Sequence, residues 1–165
     1  MIQTIIGKRG RGKTTLAKNL IKISQAKQII ILDYLGEYGS LKDNRIKTFR
    51  YIQEGDLYDF CKFAWEESSP SFRTLVIFDE IDLYGRYDQK IAFLYRYGRH
   101  KNIDLIGVSR RFFDLPVIVR ALTDEYIFFQ ITEERDIQYL KRLVKDDYIQ
   151  KLINLPKYKY IKLSL

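Results

Sequence analysis

The sequence holds a single cysteine, Cys61, and a single histidine, His100. One thiol cannot close an intramolecular disulfide, and with no thiol or imidazole partners neither residue suggests a metal centre. Cys61 falls instead in an i, i+3, i+4, i+7, i+8 stripe with Leu57, Phe60, Ala64 and Trp65, which reads as the core face of a helix. His100 reads as a surface residue. No apolar run approaches the roughly 18 residues of a bilayer-spanning helix, and no basic-then-apolar leader follows Met1. Repeats, low-complexity stretches and Gly/Ser linkers are also missing. Together these absences predict one domain over residues 1–165, without a membrane span, in a reducing cytoplasm.

What is present is a basic, apolar-rich chain: 29 Lys and Arg against 21 Asp and Glu give a net charge of +8. That surplus suits a polyanionic partner, and equally a lysine-rich solvated surface. Apolar runs at residues 3–6, 28–32, 74–78, 104–108 and 126–131 are nearly continuous, as in parallel strands buried on both faces. Helical patterns lie between them at 13–24, 55–67, 87–100 and 133–144, the last with Thr132 as its N-cap. Such alternation predicts an α/β sandwich around a mainly parallel sheet. The tail, 157–165, alternates Tyr158 and Tyr160 with lysines and reads as an edge strand, or one arm of a hairpin within 148–165.

The strongest motif is Gly7-Lys8-Arg9-Gly10-Arg11-Gly12-Lys13-Thr14, which follows Ile5-Ile6 and opens a helix. It fits G-x-x-x-x-G-K-[ST], the P-loop, in its strand-before, helix-after context. Glycines let successive N–H groups turn inward around a triphosphate, and the helix dipole points at the same anion. Lys13 is placed to reach the β- and γ-phosphates, Thr14 to ligate Mg²⁺, and Thr15 to follow on the first helical turn. Leu75-Val76-Ile77-Phe78 ends in Asp79-Glu80, the pattern of a Walker B strand, expected beside the P-loop strand. Asp79 would hold Mg²⁺ and Glu80 would polarise the attacking water. The glutamate favours ATP hydrolysis over a small-molecule kinase, which needs no water activator. Ser109, closing the next strand, is either a γ-phosphate sensor or a turn cap. Arg96 and Arg99, one turn apart at a helix end, either complement the helix dipole or serve as an arginine finger in trans.

The order GKRGRGKT, Asp33-Tyr34-Leu35-Gly36-Glu37-Tyr38, VIFDE and GRHKNIDLIGVSRR resembles the HerA/FtsK superfamily, with the D-x-x-G-E-Y element similar to the HerA branch. The resemblance runs from Ile2 to about Leu143. It implies a RecA/ASCE-type P-loop NTPase sandwich, ATP and Mg²⁺ as cofactors, and a homo-oligomeric ring that pumps double-stranded DNA without regard to sequence. Arg99, or else Arg96, would enter the neighbouring subunit's site. Short members without added modules are similar to viral genome-packaging ATPases, which implies a capsid portal or vertex as partner and the host cytoplasm or virion as location. Zonula-occludens-toxin-like phage assembly proteins are similar too. One departure stands out: the sensor position, often glutamine, is Ser109 followed by arginine. Asp33 and Glu37 are expected beside the nucleotide, or else as a polar loop after a buried strand. Lys42, Arg45 and Arg86 are candidates for contacting DNA phosphates. A nucleotide kinase and a non-motor ATP-dependent assembly switch are the competing readings.

Overall fold

Strand residues that face opposite ways enter two different cores, which is why the apolar runs are nearly unbroken. The computed structural model describes residues 1–51, 53–84 and 89–164. Its elements are β1 (Ile2–Ile6), α1 (Lys13–Ile23), β2 (Gln28–Asp33), β3 (Ile46–Arg50), α2 (Glu54–Glu66), β4 (Thr74–Phe78), α3 (Gln89–Tyr97), β5 (Ile103–Ser109), α4 (Val117–Leu122), β6 (Glu125–Phe128), α5 (Glu134–Leu140), α6 (Asp146–Ile153) and β7 (Ile161–Leu163). Seven strands form one sheet in the order β3-β2-β4-β5-β1-β6-β7. Six run parallel, and β7 closes one edge antiparallel to β6.

Ile5, Ile29, Ile31, Ile77, Val108 and Ile127 point to the face covered by Ala17 and Ile21 of α1. Their neighbours Ile6, Ile30, Leu32, Val76, Phe78 and Phe128 point the other way, toward Phe60, Ala64, Ile91, Leu94 and Val119 on α2, α3 and α4. Helix, sheet, helix: the sandwich is three-layered, as the sequence predicts. The α2 stripe also packs as expected, with Leu57, Phe60, Cys61 and Ala64 buried.

Several boundaries differ from the sequence pattern. β3 is an unforeseen strand, because Ile46-Lys47-Thr48-Phe49-Arg50 buries none of its residues fully and reads as polar. α4 and α6 are also unforeseen; each is short, and the first third of the tail expected to hold a hairpin, 148–153, is the end of α6. The expected edge strand is present as β7. β6 stops at Phe128 rather than 131. α5 begins with Glu133, not Thr132, as its cap and ends at Leu140. The start expected for α3, at residue 87, lies outside the described residues, as does Arg86. No helix among the described residues is long and apolar enough to cross a membrane.

One difference in strand order governs the site. The Walker B strand β4 does not lie beside β1; β5 runs between them, with Ile6 opposite Ser109 and Phe78 opposite Gly107. The carboxyl ends of β4, β5 and β1 therefore deliver Asp79-Glu80, Ser109-Arg110 and the Gly7–Thr14 loop to one edge.

Candidate nucleotide-binding site

The loop leaves β1 with Gly7 N–H bonded to the Ser109 carbonyl at 3.2 Å and Lys8 N–H to that of Gln130 at 3.3 Å. It turns into α1 through Gly12, whose φ of 102° lies in the left-handed region that a side chain disfavours. No side chain among the described residues caps α1. Its first N–H groups are thus left for an anion, at the positive end of the dipole. Lys13, on the first turn, is buried, and its Nζ reaches back to the Lys8 carbonyl at 3.4 Å. Burial lowers its pKa, opposed by the carboxylates of Glu80, Asp82 and Asp79. A cavity of about 510 Å³ opens over the loop, with Arg9, Gly10, Gly12, Lys13, Thr14 and Thr15 in its wall. Lys8 and Arg9 line a second cavity of about 330 Å³ on the Arg110 side, and Arg11 lines neither.

Asp79 ends β4 almost completely buried, its N–H bonded to the Leu32 carbonyl at 3.0 Å. Burial, reinforced by Glu80, Glu37 and Asp33, raises its pKa to about 7, with Lys13 opposing. Its Oδ2 has no hydrogen-bond partner among the described residues. A buried carboxylate oxygen without a donor is the kind of oxygen ligand a hard divalent cation takes. Thr14 supports that fit. Its hydroxyl donates to Glu37 Oε2 at 2.7 Å, which leaves the oxygen lone pairs free for a cation.

The D-x-x-G-E-Y element explains how Glu37 arrives there. Asp33, at the end of β2, accepts the backbone N–H of Glu37 at 2.9 Å and of Tyr38 at 3.1 Å, one on each oxygen. Gly36 turns left-handed at φ 75°, where an added Cβ would strike the Arg50 guanidinium. The 3₁₀ turn Glu37–Ser40 then buries Tyr38 in the α1-side core and presents Glu37 to Thr14. Asp33 is accordingly a turn-former, each carboxylate oxygen accepting one backbone N–H, and it is not part of the cavity wall.

Glu80 occupies the left-handed region at φ 51°, an outlier for a side-chain-bearing residue. Burial raises its pKa, with the Arg110 guanidinium opposing most strongly. Arg110 Nε lies 2.8 Å from Glu80 Oε2 and 3.5 Å from Asp82 Oδ2. The buried Ser109 hydroxyl is engaged locally: it donates to the Arg111 carbonyl at 2.7 Å and accepts the Arg111 N–H at 3.1 Å. It is the turn cap, and what it aims is Arg110. Arg110 and Asp82 are the residues the sequence pattern missed. The departure at the sensor position was the only signal.

Arg96 and Arg99 lie elsewhere. Both are exposed and line a cavity with Met1, Ile2 and Asp124, at the amino-terminal edge of β1. That is about 17 Å along the strand from the P-loop, at roughly 3.3 Å per residue. Neither makes an ion pair among the described residues, and neither can serve its own subunit's site. Lys42 is exposed. Arg45 is not available to a ligand, because its guanidinium binds Asp43 and the carbonyls of Ser24 and Ala26 at 2.7–3.1 Å.

Comparison with known proteins finds the same fold. The genome-packaging NTPase B204 of Sulfolobus turreted icosahedral virus 2, solved with AMPPCP, superposes with a TM-score of 0.77 at 20% identity, over 99% of this chain and 91% of that one. The DNA-packaging ATPase B204 of Sulfolobus turreted icosahedral virus gives 0.77 at 21% identity, with the same coverage of both chains. The N-terminal domain of zonular occludens toxin from Neisseria meningitidis gives 0.53 at 15% identity, over 81% of this chain and 78% of that one. At these identities the likeness is one of fold, and it bears out the P-loop NTPase sandwich and the resemblance to packaging ATPases. No curated protein sequence matches. The profile of the AAA domain family matches residues 1–113, P-loop, Walker B and Arg110 included. More than half of its length thus carries that family's pattern, and the chain belongs to the AAA domain family.

Proposed function

We propose that the chain is an ATP-hydrolysing motor that translocates double-stranded DNA, packaging a viral genome into a preformed capsid. The observation that carries this reading is the convergence of Lys13, Thr14, Asp79 and Glu80 on one sheet edge, with Arg96 and Arg99 exposed at the opposite edge. An edge that receives ATP and an edge that offers arginines are the two halves of a site shared between subunits of a ring. The fold likeness to B204 supports the same conclusion.

In this reading the loop amides of residues 7–14 and Lys13 hold the triphosphate, and Thr14 and Asp79 hold Mg²⁺. The cation supplies charge neutralisation for the transferring phosphoryl group. Glu37, fixed by the Asp33 turn, orients the Thr14 hydroxyl. Glu80 orients and polarises water, and can do so only when Arg110 lets go of it. Arg99, or Arg96, enters from the next subunit to stabilise charge on the γ-phosphate. Lysines such as Lys42 meet DNA phosphates without reading bases, and a portal or vertex protein docks the ring.

The deciding measurement is ATP turnover against added duplex DNA. Stimulation that fades steeply as salt rises is expected, because phosphate contacts release counterions. Turnover indifferent to DNA at low salt rejects the motor, and phosphate transfer only to a small acceptor indicates a kinase.

A further inference from the structure

The cavity over the P-loop has one wall that phosphate chemistry does not use. Tyr158 forms it, 62% exposed, together with Leu35 at 51%. The ring lies against the loop itself: a Cβ placed on Gly12 would meet Tyr158 Cδ1 at 3.2 Å. Its backbone is unfavourable. Lys159 N–H donates to the Pro156 carbonyl at 3.1 Å, closing a tight turn whose third residue, Tyr158, has φ 67°. Glycine or asparagine normally fills that position, since a larger side chain is sterically strained there. Burial does not compensate an exposed ring, and outliers of this kind gather at ligand clamps.

The turn is also held firmly. β7 pairs in register with β6 just beyond it, and the Tyr160 ring packs on Phe129 with centroids 5.6 Å apart. Phe129 in turn lies against both Gly7 and Gly12. The tail thus fixes an aromatic ring beside the phosphate loop. Lys157 Nζ sits over that ring at 4.9 Å, covering one side of it.

We propose that Tyr158 is the platform on which the base of the bound nucleoside triphosphate stacks. This rests on the P-loop as the triphosphate site and adds the residue that recognises the rest of the molecule. Loop amides and Lys13 satisfy the charged end of the ligand. The flat, weakly polar base needs an apolar surface, and Tyr158 and Leu35 are the exposed large apolar side chains in this cavity's wall. Stacking is tolerant of base identity, because every base presents a π-face. The platform therefore selects for a nucleoside and not for one base.

The test compares calorimetric binding of ATP and of inorganic tripolyphosphate, both with Mg²⁺, to wild type, Tyr158→Gly and Tyr158→Phe. Glycine accepts φ 67° without strain, so Tyr158→Gly removes the ring and keeps the turn. Its melting temperature is expected at or above that of wild type. ATP affinity should fall about tenfold in Tyr158→Gly and hold in Tyr158→Phe, while tripolyphosphate affinity stays the same in all three. Equal loss for both ligands would mean that the ring only props the loop, and no loss for either would mean that the base lies elsewhere; each overturns the proposal. Wild type binding neither ligand would instead overturn the P-loop reading beneath it.

Discussion

The two ends of the sheet are made from the same strands and treat charge in opposite ways. At the amino-terminal edge carboxylates meet donors: Asp104 binds both the Met1 ammonium and Arg73, Asp124 takes the Ile2 N–H, and Glu125 takes Gln3 and Lys162. The buried Thr4 hydroxyl is paired there, with Thr123 at 2.7 Å, while the Thr74 hydroxyl at the start of β4 is the exception, with no partner among the described residues. At the carboxyl-terminal edge Asp79, Glu80 and Glu37 crowd together, Asp79 keeps an unpartnered oxygen, and Glu80 is held in a left-handed conformation. One edge is arranged for stability and the other departs from it. Local rules fail where a ligand is expected to complete them.

The largest effect should come from the quiet edge. Arg99→Ala is expected to slow hydrolysis by about 10³-fold, the scale of a trans arginine, while nucleotide affinity holds. Activity should partly return on mixing it with Lys13→Ala subunits, and an unrestored mixture would leave that edge structural only. At the strained edge, Glu80→Gln should cost at least about 10²-fold in turnover and still bind ATP. Near-normal turnover would remove Glu80 from the chemistry. Asp33→Ala strands one buried and one partly buried backbone N–H group and should lower unfolding free energy by about 2 kcal/mol in denaturant titration. An unchanged midpoint would show that the Glu37 turn stands by itself.

The smallest effects make the sharpest contrast. With metal chelated and nucleotide absent, burial pushes the Asp79 pKa up to about 7 in the folded protein, from 3.8 for an ordinary aspartate. The folded state binds the extra proton between those values, so this group's contribution to stability falls as pH rises through that window. Asp79→Asn should therefore raise the melting temperature, by on the order of 1–2 kcal/mol of stability at pH 8 and by less at pH 5. The same substitution at the other edge, Asp104→Asn, breaks two half-exposed ion pairs and should lower stability by about 1 kcal/mol. Shifts of the same sign in thermal melts would erase the distinction between the edges.

How much of this could be read in advance depended on what each residue does locally. Buried strands announce themselves, because both faces demand Ile, Val, Leu or Phe; the half-exposed edge strand β3 does not. The P-loop and Asp79-Glu80 are legible because their spacing is itself the function. Asp33 and Ser109 looked like site residues from their places at strand ends. Their oxygens are used locally, two positions along for Ser109 and four and five for Asp33, which no spacing rule reveals. Arg110 was visible beside Ser109, but its reach to Glu80 depends on β5 lying next to β4, a fact of strand order alone.

That same strand order has a mechanical meaning. β5 is seven residues long, its lower end begins at the turn carrying Arg99, and its upper end finishes at Arg110. Hydrogen-bonded on both sides, it is a stiff strut between the Arg110–Glu80 ion pair at one end and the turn carrying Arg99 at the other. In the ring proposed above, with Arg99 as the proposed finger, nucleotide that displaces Arg110 at one site would act through β5 on the site next to it. Firing would then pass from neighbour to neighbour in order, with no separate timing part.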